Sequence, residues 1–185
     1  MEQTEFSVAV TDDERSKIEN ELRAASDWLE YESDGAEISV FDDQIAKLHA
    51  CTKELFERVH EHRERPEAIG ALRNILNISE MFHSNAINVS EDDQIFTQVE
   101  LTNLRTLIDD TEKWIREAEE EQALIPKNVN PPKLTLRAIA EKISILDREV
   151  KYLLNKARVA PPKKKLRKVY KTCFLLIFKL DLYIG

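Results

Sequence analysis

The sequence predicts an all-α protein, an antiparallel bundle of about five helices with flexible ends. Three observations support this prediction. Only three of the 185 residues are glycine, at positions 35, 70 and 185, whereas the tight turns of a many-stranded sheet favour glycine. Charged residues make up 34% of the chain, and the helix-favouring residues Glu, Lys, Leu, Arg and Ala are frequent. Apolar residues recur at steps of three and four, the spacing of one helix face.

The first two helices follow an acidic N-terminal segment, residues 1–10, which we expect to be flexible. Thr11 and Glu14 stand three residues apart at the start of an apolar stripe, a capping-box pattern, and predict a helix over about 12–31. Gly35 then marks a turn. A second stripe predicts a helix from about residue 37 to 62.

The remaining helices are separated by prolines and caps. Pro66 predicts the first turn of a third helix, because proline is favoured at that position. Thr97 and Glu100 repeat the capping-box spacing before a long helix. The segment IPKNVNPPK ends that helix, since proline cannot continue one. The last helix begins near Thr135, and its apolar residues alternate steps of three and four, the pattern of a bundle seam.

Together these segments predict one bundle over residues 11–158. Its core is expected to consist of the apolar side chains that form the stripes, namely Ile18, Leu22, Leu29, Phe41, Ile45, Leu48, Leu55, Leu72, Leu101, Leu104, Ile108, Ile139, Ile143, Leu146, Val150 and Leu153.

The charge of the chain is distributed unevenly. Residues 1–125 contain 31 acidic and 12 basic residues, a net charge of −19, whereas residues 126–185 contain 4 and 15, a net charge of +11. Residues 159–185 form a basic and then apolar tail that we expect to be disordered. An alternative function follows from this tail: a small helical adaptor that binds nucleic acid or an acidic membrane through its lysines.

The chain contains few residues that could carry chemistry. Three widely spaced glycines cannot form a phosphate-binding loop, and neither the four histidines nor the two cysteines have metal-ligand spacing. We therefore predict no catalytic, cofactor-binding or metal-binding residue, no transmembrane segment and no specific nucleic-acid partner. Asn77 and Asn88 each begin an Asn-X-Ser tripeptide and are possible N-glycosylation sites if the protein enters the secretory pathway.

Several segments resemble a known family. DDQIFTQVELTNL, SEMF and LDREVKYLLNKA resemble the C-terminal helical region of the hypoxia up-regulated proteins, the large endoplasmic-reticulum branch of the heat shock protein 70 family. TDDERSKIENELRAASDWLE is similar to the helical lid of heat shock protein 70 chaperones, with Trp28 and Leu29 at the family's Trp-Leu pair. The resemblance covers roughly residues 5–160.

The resemblance implies a helical interaction domain of a chaperone. Full-length members of the family bind ATP through a separate ATPase domain, hold unfolded proteins under stress and promote nucleotide exchange on a heat shock protein 70 partner. We expect no ATPase activity and no cofactor here, because the chain shows no ATPase domain. The resemblance implies the endoplasmic reticulum lumen, whereas the absence of a signal peptide and a retention signal predicts the cytoplasm for the chain as written.

Overall fold

Five α-helices make up the regular structure of the described chain. A computed structural model describes residues 2–90, 93–129 and 132–159, with side chains from Glu5 onward. The helices, in chain order, are α1 (Glu2–Ala9), α2 (Asp12–Tyr31), α3 (Ile38–Ile87), α4 (Gln98–Ala123) and α5 (Leu136–Val159). No strand occurs among these residues, so the predicted all-α class is confirmed. Of the predicted tail, residues 159–185, Val159 is the last residue of α5, and residues 160–185 lie outside the described residues.

The described residues form two compact units. The hairpin unit contains the chain up to Glu64 together with residues 122–133. The core unit contains Arg65–Glu121 and the described residues 134–159. The structure therefore has two units where the sequence predicted one bundle over residues 11–158. The boundary between Glu64 and Arg65 falls within the continuous helix α3, so no linker separates the units there.

Both predicted capping boxes are present. At the start of α2, Glu14 N donates to Thr11 Oγ1 (3.2 Å), and Thr11 N donates to Glu14 Oε2 (3.0 Å). At the start of α4, Glu100 N donates to Thr97 Oγ1 (3.2 Å), and Thr97 N donates to Glu100 Oε2 (2.7 Å). Each box satisfies two backbone donors that the helix itself leaves without partners. These helix starts are confirmed at the predicted residues.

Two helix predictions require correction. Residues 2–9 form α1 rather than a flexible segment, and burial holds its end, because its last residue, Ala9, and the next residue, Val10, are both buried. Pro66 lies inside α3 rather than at the start of a new helix. Just before it, the buried Arg65 donates through Nε to the carbonyl of Leu134 (2.6 Å). Tertiary packing thus holds the helix across a residue that locally disfavours it.

The core unit buries the large apolar cluster of the protein. Eight of the predicted core residues are buried there: Leu72, Leu101, Leu104, Ile108, Ile139, Leu146, Val150 and Leu153. Ile143 packs partly buried against them. The bulky Phe82 and Ile75 complete the same cluster from α3. At about 25 cal/mol per Å2 of apolar area, burial of this set is the main favourable contribution to folding of the unit.

Phe96 and Leu134 are core residues that the helix periodicity does not predict. Phe96 stands immediately before the capping residue Thr97 and is buried in the same cluster as Leu101, five positions later. Leu134 stands before Thr135 and is buried in the same cluster as Ile139, again five positions later. This arrangement is a hydrophobic staple, in which the residue before the cap packs on the first turn of the helix. The staple spacing is readable in the sequence and would have identified both residues.

The hairpin unit buries much less. Its predicted core residues Ile18, Phe41, Leu48 and Leu55 are partly buried, and α2 has no buried residue. Three predicted core residues are instead exposed: Leu22 (49%), Leu29 (57%) and Ile45 (51%). The reason is geometric, because two helices packed side by side can cover only the stripe where they touch, and the flanking apolar residues stay open.

Candidate interaction surface

The exposed apolar residues of the hairpin unit lie on ridges of two adjacent helices. α2 and the first part of α3 are joined by a short turn in which Gly35 adopts a φ of 77°. The rings of Trp28 and Phe41 pack edge to face across the two helices, with centroids 5.1 Å apart. Leu22 and Leu29 are seven residues apart on α2, so they lie on the same side of it.

The same spacing occurs on α3. Ile38 and Ile45 are also seven residues apart, and Ile38 is 80% exposed. We call Leu22, Leu29, Ile38 and Ile45 the hairpin face. These four side chains are large, aliphatic and between 49% and 80% exposed on adjacent helices. Such exposure is typical of a binding surface rather than of a closed hydrophobic core.

Helix α1 shows that both ridges face the same side of the hairpin. Arg15 lies seven residues before Leu22 on α2, and its guanidinium donates to the carbonyl of Ser7 in α1 (3.4 Å). Phe56 lies eleven residues after Ile45 on α3, and its ring packs edge to face on Phe6 of α1 (5.6 Å). Spacings of seven and eleven return to one side of a helix. The hairpin face therefore continues the side of the hairpin on which α1 packs.

An apolar groove lies beside α1. It has a volume of about 450 Å3 and is lined by Phe6, Val10, Ile18 and Leu55, with Arg15 and Glu19 among its polar lining residues. Its apolar lining provides a place for a side chain of a bound segment next to the hairpin face.

The end of the hairpin is uniformly acidic. Residues 24–46 contain seven acidic residues and no basic residue: Asp27, Glu30, Glu32, Asp34, Glu37, Asp42 and Asp43. Asp42 stands four positions after Ile38 and three before Ile45, so it is a neighbour of both on the surface of α3. Glu19 holds the equivalent position three residues before Leu22. The hairpin face is thus apolar with acidic neighbours.

The other end of the hairpin is fixed by a buried cation. The Arg58 side chain is 4% exposed and donates to Glu14 Oε1 (2.9 Å) and to the carbonyl of Asn128 (3.4 Å). The hydrogen bond from the Thr11 backbone and the pairing with Arg58 lower the pKa of Glu14 below its usual range. One carboxylate therefore caps α2 and holds α3 at the same time, which keeps the two ridges of the hairpin face in register.

The core unit carries a polar cluster on its surface. Lys156 Nζ contacts both carboxylate oxygens of Glu100 at 2.7 Å, and Tyr152 donates to Oε1 (3.0 Å). Desolvation raises the pKa of Glu100, but the hydrogen bonds from Lys156, Thr97 and Tyr152 outweigh it and lower that pKa to about 2. The cluster joins α4 to α5 and has a structural role.

Arg105 and His83 form a second polar group in the core unit. Arg105 donates to Glu80 (2.9 Å) and to Asp109, and these hydrogen bonds raise its pKa. Burial lowers the pKa of His83, and the nearby charge of Arg105 lowers it further. His83 is buried beside these paired ions, and we explain this group as packing between α3 and α4.

No metal-binding group appears in the part of the chain that the structure describes: no three His, Cys, Asp or Glu side chains there are placed to hold an ion. None of the helices described is both long enough and apolar enough to cross a membrane. The described glycines, Gly35 in the hairpin turn and Gly70 within α3, form no cradle for phosphates.

The two glycosylation tripeptides lie in different surroundings. Asn77 is exposed in the middle of α3, but Ser79 is buried and donates to the carbonyl of Ile75 (2.7 Å). Asn88 follows the last residue of α3, and both Asn88 and Ser90 are exposed. In the folded chain only the second tripeptide presents both of its functional side chains to solvent.

Comparison with known proteins locates the chain within a family. Residues 83–157 match the family model described as HYOU1-like, C-terminal domain. Hypoxia up-regulated protein 1 of Mus musculus is 41% identical over 161 residues, 87% of this chain, and the Gallus gallus protein is 40% identical over 166 residues, 90% of this chain. Heat shock protein 110 of Caenorhabditis elegans is 25% identical over 165 residues, 87% of this chain.

The chain spans only part of these relatives, 16% of the mouse and chicken proteins and 21% of the worm protein. No solved structure matches it. The family model covers the end of α3, α4 and α5, whereas the identity to the mouse and chicken proteins extends over most of the chain, hairpin unit included. The chain thus belongs to the hypoxia up-regulated protein family, and it corresponds to the C-terminal helical domain of that family.

Proposed function

We propose that this chain is a protein-interaction domain of a heat shock protein 70-type chaperone and holds unfolded polypeptides without using ATP itself. The single observation that carries this proposal is the hairpin face, four large aliphatic side chains left open on a chaperone-family domain. Exposed apolar surface of this kind is stabilised when it is covered by apolar side chains of another chain.

The charge distribution supports the same function. Residues 1–125 carry a net charge of −19, which keeps a complex with an aggregation-prone client in solution through mutual repulsion. The core unit encloses its apolar residues in one cluster, whereas the hairpin unit keeps four large aliphatic side chains exposed.

The wider setting follows from the family. We propose the endoplasmic reticulum lumen as the compartment and a heat shock protein 70 partner whose nucleotide exchange the full-length protein promotes. ATP would bind to an ATPase domain of the full-length protein, not to the residues described here. In that compartment Asn88 is the better of the two proposed N-glycosylation acceptors, because Ser79 of the first tripeptide is buried in the folded domain.

Light scattering tests the proposed function. Chemically denatured citrate synthase is diluted into buffer with and without an excess of the 185-residue chain. We expect the chain to slow the growth of scattering equally with and without ATP. The double substitution Leu29→Ser and Ile38→Ser should abolish the effect, whereas Leu124→Ser with Val159→Ser, two residues exposed by 85% and 81% outside the hairpin face, should not.

The proposal is contradicted if an unrelated acidic helical protein of similar net charge suppresses scattering as well as this chain does. It is also contradicted if the two double variants behave alike, because the effect then does not come from the hairpin face.

A further inference from the structure

We propose that the hairpin face binds a basic amphipathic helix of a partner protein. This inference rests on the proposed function in one respect, that the hairpin face is a protein-binding surface, and it adds the class of segment that binds there. It is carried by three observations on the hairpin unit: the open apolar ridges, the packing of α1 on the same side of the hairpin, and the charge around the ridges.

The open ridges have the dimensions of a short helix. The two ridge residues on each helix are seven positions apart, two helical turns, which corresponds to about 10 Å along the helix axis. An amphipathic helix presents apolar side chains at positions i, i+3, i+4 and i+7, so one helix can contact all four residues of the hairpin face. A third helix laid on a two-helix hairpin completes the layer that the hairpin lacks.

Helix α1 shows this mode of packing within the chain itself. It places Phe6 against Phe56 and its Ser7 carbonyl against Arg15, on the same side as the hairpin face. With only eight residues, α1 leaves the ridges beyond it uncovered. The four residues of the hairpin face remain between 49% and 80% exposed. The groove of about 450 Å3 beside α1 lies on the way from α1 to these ridges.

The acidic residues around the hairpin face favour a partner with positive charge. Seven acidic residues and no basic residue lie between residues 24 and 46, and Asp42 is a neighbour of both Ile38 and Ile45. Lysines or arginines flanking the apolar stripe of a bound helix would face these carboxylates. A second copy that docked through its own hairpin face would instead bring acidic residues against acidic residues, so a basic helix fits the surface better than this symmetric pairing.

Fluorescence anisotropy with labelled peptides tests the inference on the 185-residue chain. The probe is an 18-residue helical peptide of leucine and lysine with leucines on one face. One control peptide has glutamate in place of lysine, and another has the same composition with the pattern scrambled. We expect saturable binding of the patterned lysine peptide, at least about tenfold weaker binding of either control, and weaker binding in higher salt.

Substitutions locate the binding surface. Leu29→Ser with Ile38→Ser should weaken binding of the patterned lysine peptide about tenfold or more, because each serine removes apolar area from the contact. Leu124→Ser with Val159→Ser should leave binding unchanged. Glu30→Gln with Asp42→Asn should weaken binding and flatten its salt dependence. These side chains are exposed, so circular dichroism should show the same melting temperature for every variant.

The inference is overturned if the scrambled or glutamate peptide binds as tightly as the patterned lysine peptide, or if the hairpin-face variant binds as wild type does. It is also overturned if sedimentation shows a dimer that the hairpin-face variant abolishes, because the occupant is then a second copy. If the lysine peptide fails to bind while suppression of aggregation still depends on Leu29 and Ile38, the partner class is wrong and the proposed function stands.

Discussion

Thr111 places a hydroxyl group in the core unit where no described residue accepts or donates a hydrogen bond to it. A buried hydroxyl without a partner loses its hydration and gains nothing in return, at a cost of about 1–3 kcal/mol. Valine has nearly the same shape and lacks that group. We therefore expect Thr111→Val to raise the free energy of unfolding by about 1 kcal/mol in denaturant titrations. Thr106→Val, at an exposed position of α4, is the control and should change stability by less than about 0.5 kcal/mol.

Glu100 makes the stability of the core unit depend on pH. Its folded pKa, about 2, lies below the ordinary value of 4.5, so ionised Glu100 stabilises the folded state above about pH 4.5 and this contribution is lost as the pH falls towards 2. We expect Glu100→Gln to cost about 1–2 kcal/mol at pH 7, after allowance for solvent screening, and almost nothing near pH 2.

Glu117 provides the matched control for Glu100. It also lies on α4 and pairs with a lysine, Lys113, but at 3.9 Å and with its side chain 58% exposed. Glu117→Gln should therefore have little effect at any pH. Equal losses for the two variants at pH 7, or a loss for Glu100→Gln that persists at pH 2, would contradict the assigned role of the cluster.

Among the elements, α5 follows its sequence pattern most closely. Its buried residues are Ile139, Leu146, Val150, Leu153 and Leu154, and the first four were predicted from steps of three and four. We expect Leu146→Ala to cost about 2–5 kcal/mol, because it leaves a cavity in a close-packed core. The neighbouring Ile145 is 42% exposed, and Ile145→Ala should cost clearly less. Similar losses in the two denaturant titrations would show that the face of α5 is assigned incorrectly.

Sequence patterns predict a helix better than they predict its neighbours. Both α2 and α5 carry an apolar stripe with helical spacing. Leu22 and Leu29 of the first stripe are exposed, whereas Leu146 and Val150 of the second are buried. Periodicity reports that a helix has an apolar side, and burial depends on how many helices pack against that side. The capping boxes were predicted correctly because they depend only on residues three positions apart.

Helix α3 shows a case in which a local sequence signal predicts a helix start that the structure does not have. Pro66 predicts a helix start, but α3 continues through it, since the buried Arg65 and the core residues after it hold the turn in place. The same continuity hides the boundary between the two units, which falls at Glu64 and Arg65 within a regular helix. Pro66 stands next to this boundary, but proline at such a position predicts the first turn of a helix rather than a boundary between units.

At the scale of the whole molecule, the two units differ in how they use apolar residues. The core unit encloses them in one cluster, and the hairpin unit leaves four of them open beside acidic residues. The sequence predicted the helical domain and its family, because both depend on patterns that extend over most of the chain. The candidate surface could not be predicted, because all of its members except Ile38 have the spacing expected of core residues.

Hydrogen–deuterium exchange with and without a bound client tests most directly whether the hairpin unit is the interaction surface. The client is reduced, carboxymethylated α-lactalbumin, which cannot fold, and binding is checked separately by sedimentation. We predict that exchange slows in peptides covering residues 18–48 and stays unchanged in peptides from α4 and α5, whose apolar sides are already buried. Slower exchange confined to α4 and α5, or no change in residues 18–48 with client demonstrably bound, would contradict the account.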